Sequence, residues 1–195
     1  MELSVSGSVY SPAEDSFLLA KHSVTLKGRI LDFGCGSGIQ ALANAKANPS
    51  NEVIGVDINP EAVACATGNA KRNKIRNARF VVSDLFGSLN GMEGKFDGII
   101  FNPPYLPDIE SESKFVLRAE LALGGGITGR EITNRFLGEF DAYLNGSGVL
   151  LLLQSSINGI DETIRKLEEK GFAAEIVSQE SFFFEKLYVL KAGKA

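Results

Sequence analysis

The sequence predicts an α/β fold, a mostly parallel sheet with helices on both faces, and three observations carry that prediction. Short apolar runs alternate with helical segments through most of the chain, the order that parallel strands joined by crossover helices require. The run Val149–Leu153 is apolar at every position, as befits a strand buried on both faces. The length, 195 residues, suits one domain spanning residues 1–195 and leaves little room for a second.

The elements follow in order. Ser11-Pro12-Ala13-Glu14 reads as a helix start, with Ser11 as N-cap, Pro12 at the first helical position and Glu14 three residues after the cap, and the helix is expected to run to about Lys21. Arg29–Phe33 is a strand, Gly34 to Gly38 a glycine turn, and the alanine-rich stretch 39–47 a helix. The cycle repeats with Val53–Asp57 as strand, Pro60 opening a helix to about Asn73, and Arg79–Val82 as strand. Phe96–Phe101 is a further strand, Glu131–Tyr143 a helix, and 161–170 another. Phe172–Val177 and Lys186–Leu190 lie close enough in sequence for a terminal antiparallel hairpin. The longest irregular stretch, from Asn102 to about Ser113, is of the kind that often carries function.

Composition narrows the function. Apolar residues make up 44% and charged residues 23%, which is globular rather than disordered. No apolar run reaches the roughly 18 to 20 residues of a membrane helix, and Met1-Glu2-Leu3-Ser4 lacks the basic head of a signal peptide, so a cytoplasmic protein without membrane association is expected. Twenty basic against twenty-four acidic residues give a net charge of −4, without the global positive field of a non-specific nucleic-acid binder. Cys35 and Cys65 are far apart and His22 is the one histidine, so neither a disulfide framework nor a metal site is expected.

The glycines of Asp32-Phe33-Gly34-Cys35-Gly36-Ser37-Gly38 stand at relative positions 1, 3 and 5, whereas a dinucleotide fingerprint needs 1, 3 and 6, which weakens an oxidoreductase reading. Such a loop still lets the backbone approach a ligand and aims helix N-terminal amides at an anion such as a carboxylate. Asp57 ends the second strand, where a carboxylate can accept from both hydroxyls of a ribose. Asp84 ends the third, with Leu85 and Phe86 offering apolar cover for a base. Three successive strands thus each end in an acid, at the edge where open parallel sheets bind ligands. This arrangement resembles the class I S-adenosylmethionine-dependent methyltransferases, and the resemblance implies their seven-stranded Rossmann-like sheet with an antiparallel last strand.

The fourth strand runs into Asn102-Pro103-Pro104-Tyr105, where two prolines force the chain out of the sheet. An amide or aromatic amine is a poor nucleophile because its lone pair is delocalised. The Asn102 side-chain carbonyl and the Pro103 backbone carbonyl can each accept one N–H and turn that lone pair toward a methyl donor, while Tyr105 stacks on the planar group. Neither a metal nor a strong base is required if the proton leaves after the methyl arrives. The motif looks like that of methyltransferases acting on planar amino or amide nitrogens.

Together with Val9–Ser16, Gly124–Glu131 and Glu185–Lys191, this segment resembles the short archaeal and eukaryotic branch of the HemK-like release-factor glutamine methyltransferases. The resemblance implies methylation of the glutamine amide in the Gly-Gly-Gln tip of a class I peptide release factor. It places Ser16, Asp32, Gly34, Gly36, Gly38, Asp57, Asp84, Leu85 and Asn102 at the cofactor. Asn102, Pro103, Pro104 and Tyr105 would hold the glutamine, with Asn102, Pro103 and Tyr105 catalytic. Asp32 stands where many relatives have Glu, Ser11 where an acid is common, and Ser16 where Thr is common.

In the inferred strand order Arg79–Val82 is an edge strand, an association hazard unless covered. Lys71, Arg72, Lys74, Arg76 and Arg79 bring five positive charges beside it. The resemblance implies a partner, a small zinc-binding activator protein, and this edge is expected to pair with it. The bland reading is a solvated helix end and a half-buried strand. Phe182-Phe183-Phe184 is read as hairpin packing, Gly124–Gly126 as a loop folding over the site, and Cys35 and His22 as without catalytic role. Two other functions stay open: methylation of the exocyclic amine of adenine in DNA or RNA, which the basic run keeps in play, and a non-catalytic S-adenosylmethionine-binding subunit.

Overall fold

A computed structural model describes residues 1–5, 7–105, 128–183 and 185–195. Seven strands form one sheet: β1 (Arg29–Phe33), β2 (Glu52–Asp57), β3 (Ala78–Val82), β4 (Phe96–Phe101), β5 (Leu144–Ser155), β6 (Phe172–Ser181) and β7 (Lys186–Lys194), in the spatial order β3-β2-β1-β4-β5-β7-β6. β3 through β5 pair in parallel, and β7 inserts antiparallel between β5 and β6. The antiparallel last strand and the terminal hairpin are therefore as expected, and β3 is an edge.

Alternation along the strands feeds two cores. Leu31 and Phe33 of β1, Ile99 and Phe101 of β4, and Leu150 and Leu152 of β5 face one layer, packing with Phe136 and Leu137 of α4 (Glu131–Glu139) and Leu167 of α5 (Ile160–Glu169). Ile30, Ile100, Leu151 and Leu153 face the other, with Leu18 and Leu19 of α1 (Glu14–Ser23) and Ala41 and Ala45 of α2 (Ile39–Ala47). Period-2 burial on both faces is what a parallel sheet covered by two helical layers demands. α3 (Pro60–Arg72) lies along β2 and β3, its Asn59 cap accepting the Glu61 amide at 2.9 Å.

Two boundaries differ from expectation. α1 begins at Glu14, not after Ser11, and its N-cap Ala13 makes no side-chain cap bond. Ala13 is extended, with φ −123° and ψ −162°, and the Tyr10 hydroxyl donates to Asp15 in the first turn at 3.0 Å, so residues 10–13 run up to the helix from outside it. α4 stops at Glu139 and gives way to a 3₁₀ turn at Phe140–Ala142 instead of continuing to Tyr143. Phe140 is fully buried and packs on Phe136 and Phe172, and the tighter turn lets it reach both. The reading of Phe182 and Phe183 as packed is also corrected, since they are 39% and 92% exposed. Phe184, Gly124–Gly126 and all of the Asn102–Ser113 stretch beyond Tyr105 lie outside the described residues.

Candidate active site

β1 and β4 are neighbours at the centre of the sheet, where the chain's connections diverge to either side. Open α/β sheets bind ligands above that switch point. A cavity of about 480 Å³ lies there, reached by the residues that follow β1, β2, β3 and β4. Ser16, Gly34, Gly36, Asp57, Asp84, Leu85, Asn102, Pro103, Pro104 and Tyr105 all line it. Asp32 and Gly38, also singled out from the sequence, stand behind its wall.

The glycine turn explains its own spacing. Gly34, Gly36 and Gly38 have φ of +59°, +50° and +84°, a conformation that side chains disfavour. The Cys35 amide donates to the Val56 carbonyl at 3.0 Å, which stitches the loop to the end of β2. Gly36 donates its amide to Asp57 Oδ2 at 2.9 Å, and Asn59 donates to Asp57 Oδ1 at 2.9 Å. Burial raises the Asp57 carboxyl above its ordinary range, and these two amides pull it partly back. Gly38 serves packing: a Cβ there would meet Ala66 of α3 at 3.0 Å.

Asp32 is 1% exposed, and its Oδ2 accepts the Ala41 amide in the first turn of α2 at 3.0 Å. Burial pushes this carboxyl up to about 8, with Asp57 adding to the rise. Asp84 is half exposed and meets Arg135 of α4, whose Nη2 lies 3.1 and 3.0 Å from its two oxygens. Leu85 takes φ +44°, held by the Ser83 hydroxyl donating to its carbonyl at 2.7 Å. Asp15, Asp57, Glu61 and Asp84 give the cavity an acidic lining, and among the described residues Arg135 is its one basic contributor.

At the other side, β4 delivers Asn102. Its Nδ2 donates to Asp15 Oδ2 at 2.9 Å, while its Oδ1 is buried without a hydrogen-bond partner. The Tyr105 carbonyl accepts from Asn158 Nδ2 at 2.7 Å, and the same nitrogen donates to the Gly129 carbonyl at 3.0 Å. Burial, and then the charges of Asp15, Glu185 and Glu14, push the Tyr105 hydroxyl well up, so it stays a neutral phenol and cannot serve as a base. Cys35 is buried and its thiol is likewise pushed up, leaving it unreactive.

Asp15, Tyr10, Arg135 and Asn158 were missed in the sequence. Asp15 and Tyr10 sit inside the quoted Val9–Ser16 segment, where a second acid beside Glu14 was the available signal. Arg135 and Asn158 carry no local signal, because their partners are 51 and 53 residues away.

The arrangement can bind a ligand carrying hydroxyls, a planar amine and positive charge beside a planar nitrogen held by Asn102. Comparison with known proteins agrees. Residues 13–126 match the family model described as the methyltransferase small domain. A Methanocaldococcus jannaschii protein assigned to the protein N5-glutamine methyltransferases is 45% identical over 193 residues, 98% of this chain and 95% of that one. The human methyltransferase HEMK2 is 32% identical, covering 96% of this chain and 90% of its own. The structure of the E. cuniculi Mtq2–Trm112 complex, responsible for methylation of the translation termination factor eRF1, superposes with a TM-score of 0.72 at 28% identity, over 96% of this chain and 99% of that one.

Proposed function

This chain belongs to the protein N5-glutamine methyltransferases of the methyltransferase small domain family, and from that premise we propose that it methylates the side-chain amide of the glutamine in the Gly-Gly-Gln tip of a class I peptide release factor. The observation that carries the reading is the Asn102 side-chain carbonyl, buried at the cavity wall with no partner of its own. A buried acceptor left unsatisfied costs free energy, and a substrate N–H would relieve that cost.

The methyl donor is S-adenosylmethionine, which supplies an electrophilic methyl on a cationic sulfonium. The residues present fit it: the left-handed Gly34 and Gly36 offer bare backbone to the cavity, and the acidic lining suits a cation. Asp57 would accept from the ribose hydroxyls and Asp84 from the base amine, with Leu85 covering the base. Ser16, Gly34 and Gly36 would border its methionine end, and Asp32, buried behind them, ties down the first turn of α2 through the Ala41 amide. Asn102 Oδ1 and the Pro103 carbonyl take one glutamine N–H each, which fixes the amide plane and turns its nitrogen toward the donor. Tyr105, neutral throughout, would stack on that plane, and the proton displaced from the amide nitrogen would pass to solvent.

The edge position of β3 supports a second part of the reading, that a small zinc-binding activator pairs with Arg79–Val82, where Val82 is 45% exposed. Adenine methylation recedes for a topological reason. The basic run lies at the C-terminal end of α3 and the start of β3, the end of the sheet opposite the cavity, so it cannot guide a nucleic acid to Asn102. A translation factor as substrate goes with a cytoplasmic location. Among the described residues no helix is long and apolar enough to cross a membrane.

The test uses methyl-labelled S-adenosylmethionine with the purified protein, with and without the activator, offered a matched release factor, the same factor with the Gly-Gly-Gln glutamine changed to alanine, and DNA. Label on the unaltered factor alone supports glutamine methylation. Label on DNA alone replaces it with the adenine reading, and no label under any condition points to a non-catalytic binding subunit.

A further inference from the structure

The reading of Asn102 depends on one atom, the carbonyl oxygen, facing the cavity. An asparagine amide is nearly symmetric in shape, so something must decide which end points inward. Asp15 Oδ2 lies 2.9 Å from Asn102 Nδ2, and a carboxylate can only accept. Turning the amide over would set oxygen against oxygen. Asp15 is itself 3% exposed and closely held, since its Oδ1 accepts from the Tyr10 hydroxyl at 3.0 Å and the Ser16 amide at 2.5 Å. Asn102 Oδ1, at the far end of the same amide, is buried without a hydrogen-bond partner.

We propose that Asp15, locked by Tyr10, is a positioning residue for the transfer: it fixes the orientation of the Asn102 amide and polarises it, so that the carbonyl presented to the substrate is the stronger acceptor. The polarisation is the ordinary cooperativity of linked hydrogen bonds, in which an N–H held by an anion leaves more negative charge on the oxygen of the same amide. This rests on the role given to Asn102 above. Its address is separate, because Asp15 touches Asn102 across 87 residues of sequence and acts through it.

The experiment compares wild type, Asp15→Asn and Tyr10→Phe in the presence of the activator if the enzyme requires one. An asparagine at 15 can donate as well as accept, so the Asn102 amide loses its reason to face one way. In Asp15→Asn, kcat is expected to fall about 100-fold, the cost of misplacing a reacting group, while substrate KM stays near wild type. Tyr10→Phe keeps the carboxylate and releases one of its anchors, so a smaller fall in kcat with the same unchanged KM is expected. The direct readout is the side-chain NH₂ pair of Asn102 in a ¹⁵N–¹H spectrum, assigned by its loss in Asn102→Ala. One of its protons should lie downfield in wild type and return to the ordinary amide range in Asp15→Asn. A folded Asp15→Asn with wild-type kcat, or with that resonance unmoved, overturns the proposal. Should Asp15→Asn fail to fold, Tyr10→Phe with wild-type kcat and an unmoved resonance overturns it. An active Asn102→Ala variant would instead overturn the role of Asn102 itself, and the spectrum would still report whether Asp15 orients it.

Discussion

Arg135 closes on Asp84 from α4, its Nη2 within 3.1 Å of both carboxylate oxygens, and so occupies the acceptor proposed for the base amine. A ligand amine must compete with it. Both side chains are about half exposed, and such pairs are worth about 0.2–1 kcal/mol. Arg135→Ala should therefore tighten S-adenosylmethionine binding by up to about fivefold in isothermal titration, whereas Asp84→Ala should weaken it. Weaker binding by Arg135→Ala would mean that the guanidinium contacts the ligand and does not compete for Asp84.

Asp57 and Asn102 should fail in different ways. Asp57 holds the Gly36 and Asn59 amides, so Asp57→Ala removes both the ribose acceptor and the tether of the glycine loop. Each hydrogen bond to a charged group is worth about 1.5–3 kcal/mol, which sets the expected loss of cofactor affinity at tenfold or more, on the order of one such bond. Asn102→Ala should lower kcat by about 10²- to 10³-fold, the scale of losing one preorganised polar contact, with cofactor affinity nearly unchanged. Equal loss of affinity in the two variants would sink the division of roles.

Asp32 predicts a pH dependence. Its carboxyl titrates near 4 in an unfolded chain and is pushed up to about 8 by burial in the folded one. Between these values the folded state holds a proton that the unfolded state has released, so this group's contribution to stability is full in acid and declines until pH passes about 8. Asp32→Asn stays neutral throughout. It should melt above wild type at about pH 9, with the advantage shrinking toward about pH 5. A melting difference that does not change with pH would refute the assignment.

Gly38 should matter to stability more than Gly36. A Cβ at Gly38 adds contacts of 3.0 Å to Ala66 Cβ and 3.3 Å to Leu42 Cδ1 on top of a left-handed φ. At Gly36 the nearest atom stands at 3.9 Å, leaving the backbone cost alone. Urea denaturation should find Gly38→Ala less stable than wild type by about 1–3 kcal/mol and Gly36→Ala by about 1 kcal/mol. The reverse order would argue that the α2–α3 contact yields easily.

Much of this protein is local and can be read in order. Strand ends at Phe33, Asp57, Val82 and Phe101 follow from apolar runs stopped by glycine, acid or proline, and their parallel pairing follows from the helices between them. Asp57, Asp84 and Asn102 were legible because each sits at such an end, where topology alone brings it to one edge of the sheet. The hairpin of β6 and β7 was legible from spacing, though β7 seating itself between β5 and β6 belonged to the resemblance. The start of α1 differs from the local cap motif Ser11-Pro12 because Ala13 is extended and the Tyr10 hydroxyl instead reaches Asp15 in the first turn. The sequence by itself determined the layers, the glycine turn and that Asp57, Asp84 and Asn102 reach the cavity, since these depend on periodicity and on backbone freedom within a few residues. Only the tertiary structure decided which way the Asn102 amide faces, what Asp84 is paired with and what holds Tyr105. Those depend on Asp15, Arg135 and Asn158, each brought from more than 50 residues away to groups whose hydrogen-bonding direction no local pattern encodes.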